Sequence, residues 1–320
     1  MSDAAVLEWL LAGDPAIRWQ VQRDLLDAPE PQWRAERAKV ETEGWGARLL
    51  ALEDDDGQWA GGAFVPSGFD WSDWERDGQP WTATSHVLSQ LREFGLDPAS
   101  ERAQRAVKLV GRNARWEHEG QRFWEGEVEE CINGRTVADG AYFGLDMSPL
   151  ADRLVGERLG DGGWNCERER GSVRSSFATT INVLEGLLEH ERATGGTPET
   201  VAARRTGEEF LLERGLFRRL STGEPADELY LRFVHPNRWH YDVLRALDHF
   251  RAAGALTGAS PDPRLGEALD HLRRRRSDDG TWPLDRRLPG RVWFEVDDGP
   301  GRPSRWVTLR ALRVLRWAER

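Results

Sequence analysis

Of the 44 basic residues in this 320-residue chain only Lys39 and Lys108 are lysines, so arginine supplies nearly all of its positive charge. That bias fits a GC-rich bacterial genome without invoking function. Cysteine is as scarce: Cys131 and Cys166 are too few for a disulfide framework in a chain of this length. The opening MSDAAVLEWLLAG places no basic segment ahead of a long apolar one, and no stretch approaches the roughly 18 consecutive apolar residues of a membrane span. The expectation is a cytoplasmic protein with no transmembrane segment. No Pro-, Gly- or Ser-rich linker divides the sequence, and no convincing run alternates with the period of two that marks a strand. A net charge of −11 argues against nucleic acid or an anionic membrane as partner, because the average surface repels both. Any bound anion must therefore meet a local patch.

What the chain has is repetition. Acidic-Gly-x-Trp turns occur as DGQW at 56–59, DGGW at 161–164 and DGTW at 279–282, with looser forms at EGQRFW (119–124) and TGEPADELYLRF (222–233). The helices that follow share a register: LSQL at 88–91, YFGL at 142–145, LEGL at 184–187, and LRAL at both 244–247 and 309–312. A period of roughly 40–65 residues is that of repeat architecture, in which each unit buries its apolar face against its neighbours. Sixteen tryptophans crowd the turns and helix starts, where large rings cement repeats or line a cavity.

The helix signals pair. Residues 3–27 hold two short helices, the second capped by Asp14 with Pro15 at its first position. Outer helices are expected at 31–52, 98–114, 148–159, 198–215 and 262–276, and inner ones at 81–95, 135–147, 174–192, 238–253 and 303–318. The inner set carries small and polar residues on more than one face, among them Thr82, Thr84, Ser85 and His86, and Ser175, Ser176, Thr179 and Thr180. One side of each would pack outward and the other line a cavity. The expected fold is a single all-α domain over 1–320, an α/α toroid of six helical hairpins, rather than an open solenoid: the final VTLRALRVLRWA is as apolar as the middle helices and has no capping-repeat character.

Parallel inner helices would gather their N-termini at one mouth, and arginines stand at four entrances: Arg135, Arg174, Arg238 and Arg305. Unpaired N–H groups and guanidinium forks together suit phosphate or carboxylate, although arginines also serve interior ion pairs. His240 and Asp242, with Tyr241 between them in RWHYDVL, are the acid/base candidates. Residues i and i+2 on a helix do not face each other, so they act as a dyad only if they precede the helix. His86 is a further candidate at the register position of Asp242. Cys131 and Cys166, with His240, Asp139 and Asp242, offer the donor types of zinc, but no CxxC or HExxH spacing is present, and buried cysteines also serve simply as small hydrophobes. Asp54, Asp55 and Asp56 merge into the DGQW turn and read as turn residues.

Over 56–317 the Gly-x-Trp turns resemble those of the prenyltransferase and squalene cyclase superfamily, whose members are α/α toroids. Locally, GRTVADGAY at 134–142 is similar to the protein prenyltransferase β subunits, whose matching stretch supplies a diphosphate-binding arginine, two zinc ligands and a tyrosine. Arg135, Asp139 and Tyr142 are retained; Ala141 replaces the zinc-ligand cysteine, and Ala178 stands where the family has a histidine. EDDD at 53–56 is not the DxDD acid of the cyclases. The resemblance implies an isoprenoid or other amphipathic anionic substrate in the central cavity, held by the arginines, Tyr142 and His86, with His240, Tyr241, Asp242 and Asp139 as candidate catalytic groups. A non-catalytic lipid- or peptide-binding toroid and a carbohydrate-active α/α barrel are the alternatives.

Overall fold

The computed structural model describes residues 3–319, and among them the ordered elements are helices, with four isolated bridges and no strand. The chain opens with α1 (Asp3–Leu11) and α2 (Pro15–Asp24). It continues through α3 (Glu30–Ala38), α4 (Gly44–Leu50) and the single-turn α5 (Trp74–Asp77). Next come α6 (Thr84–Phe94), α7 (Glu101–Asn113), α8 (Glu130–Tyr142), α9 (Ser148–Gly156), α10 (Phe177–Thr194) and α11 (Pro198–Leu212). The last three are α12 (Val243–Thr257), α13 (Gly266–Arg274) and α14 (Arg305–Ala318).

Side-chain caps set several starts. Asp14 accepts from the amide of Ala16, Ser176 from Thr179, Asp242 from Arg245 and Ser304 from Val307. Several expected boundaries move, among them the helix expected at 238–253, which runs Val243–Thr257. The helix expected at 31–52 breaks into α3, a 3-10 turn and α4, because Gly44 takes a φ of 65° at the junction. The helix expected from 135 begins instead at Glu130. Its Gly134 lies against the backbone of Asn182, where a Cβ would stand 2.5 Å from the carbonyl oxygen, and Gly186 meets Gly134 in the same way at 2.3 Å. The pair lets α8 and α10 approach backbone to backbone.

The repeat has a physical basis in three indoles. Trp59, Trp164 and Trp282 are fully buried, and each donates its ring N–H to a leucine carbonyl ten residues upstream, Leu49 at 2.8 Å, Leu154 at 2.7 Å and Leu272 at 2.8 Å. Those carbonyls belong to the last turns of α4, α9 and α13, which need acceptor partners there. The backbone N–H of each tryptophan donates to a threonine hydroxyl of the following helix: Thr84 at 3.1 Å, Thr180 at 3.1 Å and Thr308 at 2.9 Å. The preceding Gly57, Gly162 and Gly280 have φ of 87°, 100° and 85°, open only to glycine at low cost. One residue thus ties the end of one helix to the start of a later one in each of these units.

Helix contacts run α2 to α6, α6 to α8, α8 to α10, α10 to α12, α12 to α14 and α14 to α2. Six further helices flank this series: α1, α3 and α4 against α2, α9 and α11 against α10, and α13 against α12.

Candidate functional site

Two cavities lie at opposite ends of α6, α8, α10 and α12. A chamber of about 510 Å³ is lined from α2, α6, α8, α10, α12 and α14, by residues such as Gln20, Arg92, Tyr142, Glu189, Asp248 and Arg313. A cleft of about 840 Å³ lies among the segments that precede α6, α8, α10 and α12, and its aromatic wall is Phe64, Trp71, Trp74, Trp116 and Trp239. Trp71 and Trp74 stack at 5.7 Å, and Trp71 is 57% exposed.

Helices α6, α8, α10 and α12 turn polar groups toward one another. Arg245 grips Glu185 with both prongs, at 2.8 and 2.6 Å, and reaches Asn182 at 2.9 Å. Burial pushes the Glu185 carboxyl up, but Arg245 outweighs it and holds the group at about 2. Asp139 accepts from Ser89 at 2.6 Å and from Arg92 at 2.7 Å; burial nonetheless raises its pKa. In the chamber, Asp248 pairs with Arg251, Arg310 and Arg313, which together overcome its desolvation and drive its pKa below the usual carboxylate range.

The four entrance arginines do not share one mouth. Arg305 turns to the first helix, donating to the Trp9 carbonyl at 3.2 Å and covering the Trp9 ring, while Arg174 is exposed on a loop. Arg135 and Arg238 do come together. Burial lowers the pKa of both, and Arg135 adds to the depression of Arg238, which falls to about 9 and still leaves it charged at neutral pH. Arg238 is 5% exposed, donates to Gln90 at 2.9 Å and lies over Trp81. Among the described residues, neither Arg135 nor Arg238 has a carboxylate within ion-pair distance. Arg135 lines a small void with His86, Asp139 and Trp239; Trp239, Phe64 and Ile132 are the wall it shares with the cleft. His86 is buried with its Nε2 3.0 Å from the Phe64 carbonyl and 3.1 Å from Gln79, and burial and the two arginines keep it neutral.

The acid/base candidates fall into different environments. Helix α12 starts at Val243, so His240, Tyr241 and Asp242 do precede it, yet they form no dyad. Asp242 is buried as the cap, accepting from Arg245 at 2.8 Å, Asn237 at 2.7 Å and Val234 at 3.1 Å. Tyr241 donates to the Leu216 carbonyl at 2.5 Å. His240 stacks on Trp239 at 3.7 Å; desolvation and then Arg286, Arg245 and Arg135 push its pKa down to about 3. Tyr142 lines the chamber, donating to Leu96 and accepting from Arg37.

The zinc positions implied by the prenyltransferase likeness do not fit a metal here. Asp139 is taken by Ser89 and Arg92, and Ala141 and Ala178 offer no donor atom. Cys131 and Cys166 do meet, in the cleft rather than beside His240 or Asp242, and Glu129 joins them. The hydrogen bond to Cys166, with burial, raises the Cys131 thiol well above its ordinary value. Nearby Glu127 is buried, and desolvation raises its carboxyl although the amides of Val128 and Glu129 donate to it.

Sequence reasoning passed over Glu129, Glu127 and most of the chamber. The shared register held a signal for the chamber: Glu185, Arg245 and Arg310 each follow the first leucine of their LxxL, and Arg92, Leu188, Asp248 and Arg313 stand one turn later. No protein-family model and no curated protein matches the chain. A protein from Actinoplanes with a solved crystal structure is similar at 16% identity over 99% of both chains, with a TM-score of 0.48.

Proposed function

We propose that the inner helices close into an α/α toroid of the prenyltransferase and squalene cyclase kind, and that the protein takes an amphipathic anion such as a prenyl diphosphate. The closure reading is supported by the contact series that returns from α14 to α2. The ligand reading rests on one observation, the interior guanidiniums Arg135 and Arg238 with no carboxylate at ion-pair distance, Arg135 lining the void that shares Phe64, Ile132 and Trp239 with the cleft. Two like charges held in a desolvated place repel, and a bound anion relieves that cost through charge-assisted hydrogen bonds. The five aromatic rings of the cleft suit an apolar body, and their faces suit a developing cation. Calorimetric titration with a prenyl diphosphate, the matching prenyl alcohol and inorganic pyrophosphate tests the proposal. The diphosphate should bind tightest, and Arg135→Met and Arg238→Met should each weaken it by at least about 10-fold, the effect of one lost charged hydrogen bond. Equal affinity for alcohol and diphosphate, or unchanged affinity in both variants, would refute it.

A carbohydrate-active enzyme is the second reading, favoured by the raised Glu127 carboxyl among Trp71, Trp74 and Trp116. Binding of neutral oligosaccharides, lost on Trp71→Ala but indifferent to Arg238→Met, would support it over the first.

A further inference from the structure

The chain has only two cysteines, 35 residues apart in sequence, and the fold brings both to the same wall of the cleft. Cys131 stands in the first turn of α8, and Cys166 opens the irregular turn that follows DGGW. The carboxylate of Glu129, just ahead of α8, completes a group whose three donor atoms lie within 4.8 Å of one another. We propose that Glu129, Cys131 and Cys166 form a binding site for a zinc-class divalent cation, with its fourth coordination position open to the aromatic cleft.

The geometry supports this at three points. Bond lengths of about 2.3 Å to sulfur and about 2.1 Å to oxygen place the two donors roughly 3.6 Å apart on a tetrahedron, and Cys131 Sγ lies 3.5 Å from Glu129 Oε2. Cys166 Sγ is already oriented: it accepts from the Cys131 amide at 3.4 Å and from the Thr179 hydroxyl at 3.3 Å, the kind of outer support that fixes a metal ligand. The Cys166 amide in turn donates to Thr179 at 3.3 Å, so the ligand and its support are locked reciprocally. Two sulfurs select zinc, or cobalt as its probe, over magnesium and calcium, which take oxygen. Three protein donors leave the vacant position that distinguishes a reactive zinc site from a closed structural one. The donors are distinct from Asp139, Ala141 and Ala178, so this is not the prenyltransferase centre, and they are distinct from Arg135 and Arg238, so this site and the anion site can fail separately.

The test is a Co²⁺ titration of the reduced, chelator-treated full-length protein, with Zn²⁺ as competitor and far-ultraviolet circular dichroism to confirm folding. One equivalent of Co²⁺ per chain should produce a thiolate-to-cobalt charge-transfer band that Zn²⁺ abolishes. Cys131→Ser and Cys166→Ser, each folded, should lose the band. Thr179→Val, which leaves all three donors in place, should weaken cobalt binding about 10-fold, and a purely structural threonine would not move this readout. Absence of a thiolate band in the reduced wild type would overturn the proposal. So would a band that survives Cys166→Ser, or free-thiol titration showing that the two sulfurs of the untreated protein are joined as a disulfide.

Discussion

Replacing the threonine that receives each repeat tryptophan by valine tests directly the joint between the two helices that each tryptophan links. Valine keeps the volume and β-branching of threonine and removes only the hydroxyl. In Thr180→Val the N–H of Trp164, a fully buried residue, loses its acceptor at 3.1 Å, and in Thr308→Val that of Trp282 loses one at 2.9 Å. An orphaned buried donor costs about 1–3 kcal/mol. Thr84 carries a second strong bond, donating to the Gly62 carbonyl at 2.7 Å, whereas Thr180 and Thr308 reach their tryptophan carbonyls at 3.4 Å. Thr84→Val should therefore cost the most, toward the upper end of that range, with Thr308→Val next and Thr180→Val last. At about 2 cal/mol/K of unfolding entropy per residue, a chain this long should lose roughly 1.5–4.5 °C in Tm for each change. Urea unfolding followed by circular dichroism measures the free energies. The three substitutions lie in different repeats, so the triple variant should show their sum within about 0.5 kcal/mol per added site. If all three single variants stay within about 0.5 kcal/mol of wild type, the tryptophan–threonine bond is not what holds the repeats and the argument fails.

Two further perturbations follow from the interior charges. Arg245→Met leaves the Glu185 carboxylate without its bidentate partner and should cost about 3–5 kcal/mol, while the double change with Glu185→Leu should recover much of that; equal stability of the single and double variants in urea would refute the pairing. Stability should also depend on pH with two opposing limbs. His240 is held down to about 3 in the fold, so its contribution is complete above an unfolded pKa of about 6.5 and is lost as pH falls toward 3; His240→Gln should flatten that acid limb. Asp297 is pushed up to about 7, mainly by burial, so its contribution is present below an unfolded pKa of 3.8 and is lost as pH rises through 7. The limb is worth up to about 4 kcal/mol, and Asp297→Asn should remove it in urea midpoints taken between pH 4 and 8.

Most of the helical plan was legible because it rests on local signals. The turn glycines, the caps at Asp14 and Ser304, and the LxxL register all act within a few residues of where they are read. What was not legible depends on the approach of distant segments. Nothing local says that Glu130 begins a helix, since EVEECING reads as an acidic turn; α8 forms there because Gly134 lets it settle on α10. His240 and Asp242 look like a pair in sequence and are separated by the demands of the α12 start, which takes the Asp242 carboxylate as its cap. Glu129 is one of four acidic residues in a six-residue run, and only the arrival of Cys166 from the next repeat distinguishes it.

The arginines can be sorted by the helix ends they serve. Arg23, Arg92 and Arg192 stand in the last turns of α2, α6 and α10, where the helix dipole presents partial negative charge and a cation is stabilised without any ligand. Arg245, Arg251, Arg310 and Arg313 have Glu185 or Asp248. The guanidinium-rich chamber is therefore accounted for by its own carboxylates and helix ends, and its abundance of arginine is weak evidence for a bound anion. Arg135 and Arg238 sit at no helix C-terminus and, among the described residues, have no carboxylate at ion-pair distance; Asp139 and Glu93 act on Arg135, and Glu93 and Glu295 on Arg238, from farther away. Arg238 lies ahead of the α12 N-terminus, where the dipole adds positive charge, and Arg135 sits mid-helix beside it, with Asp139 one turn away already committed to Arg92 and Ser89. An acidic protein that holds two interior cations with no carboxylate at ion-pair distance bears a desolvation cost that Gln90 and the Trp81 ring offset only in part, and that is the physical reason to look for further negative charge in a ligand.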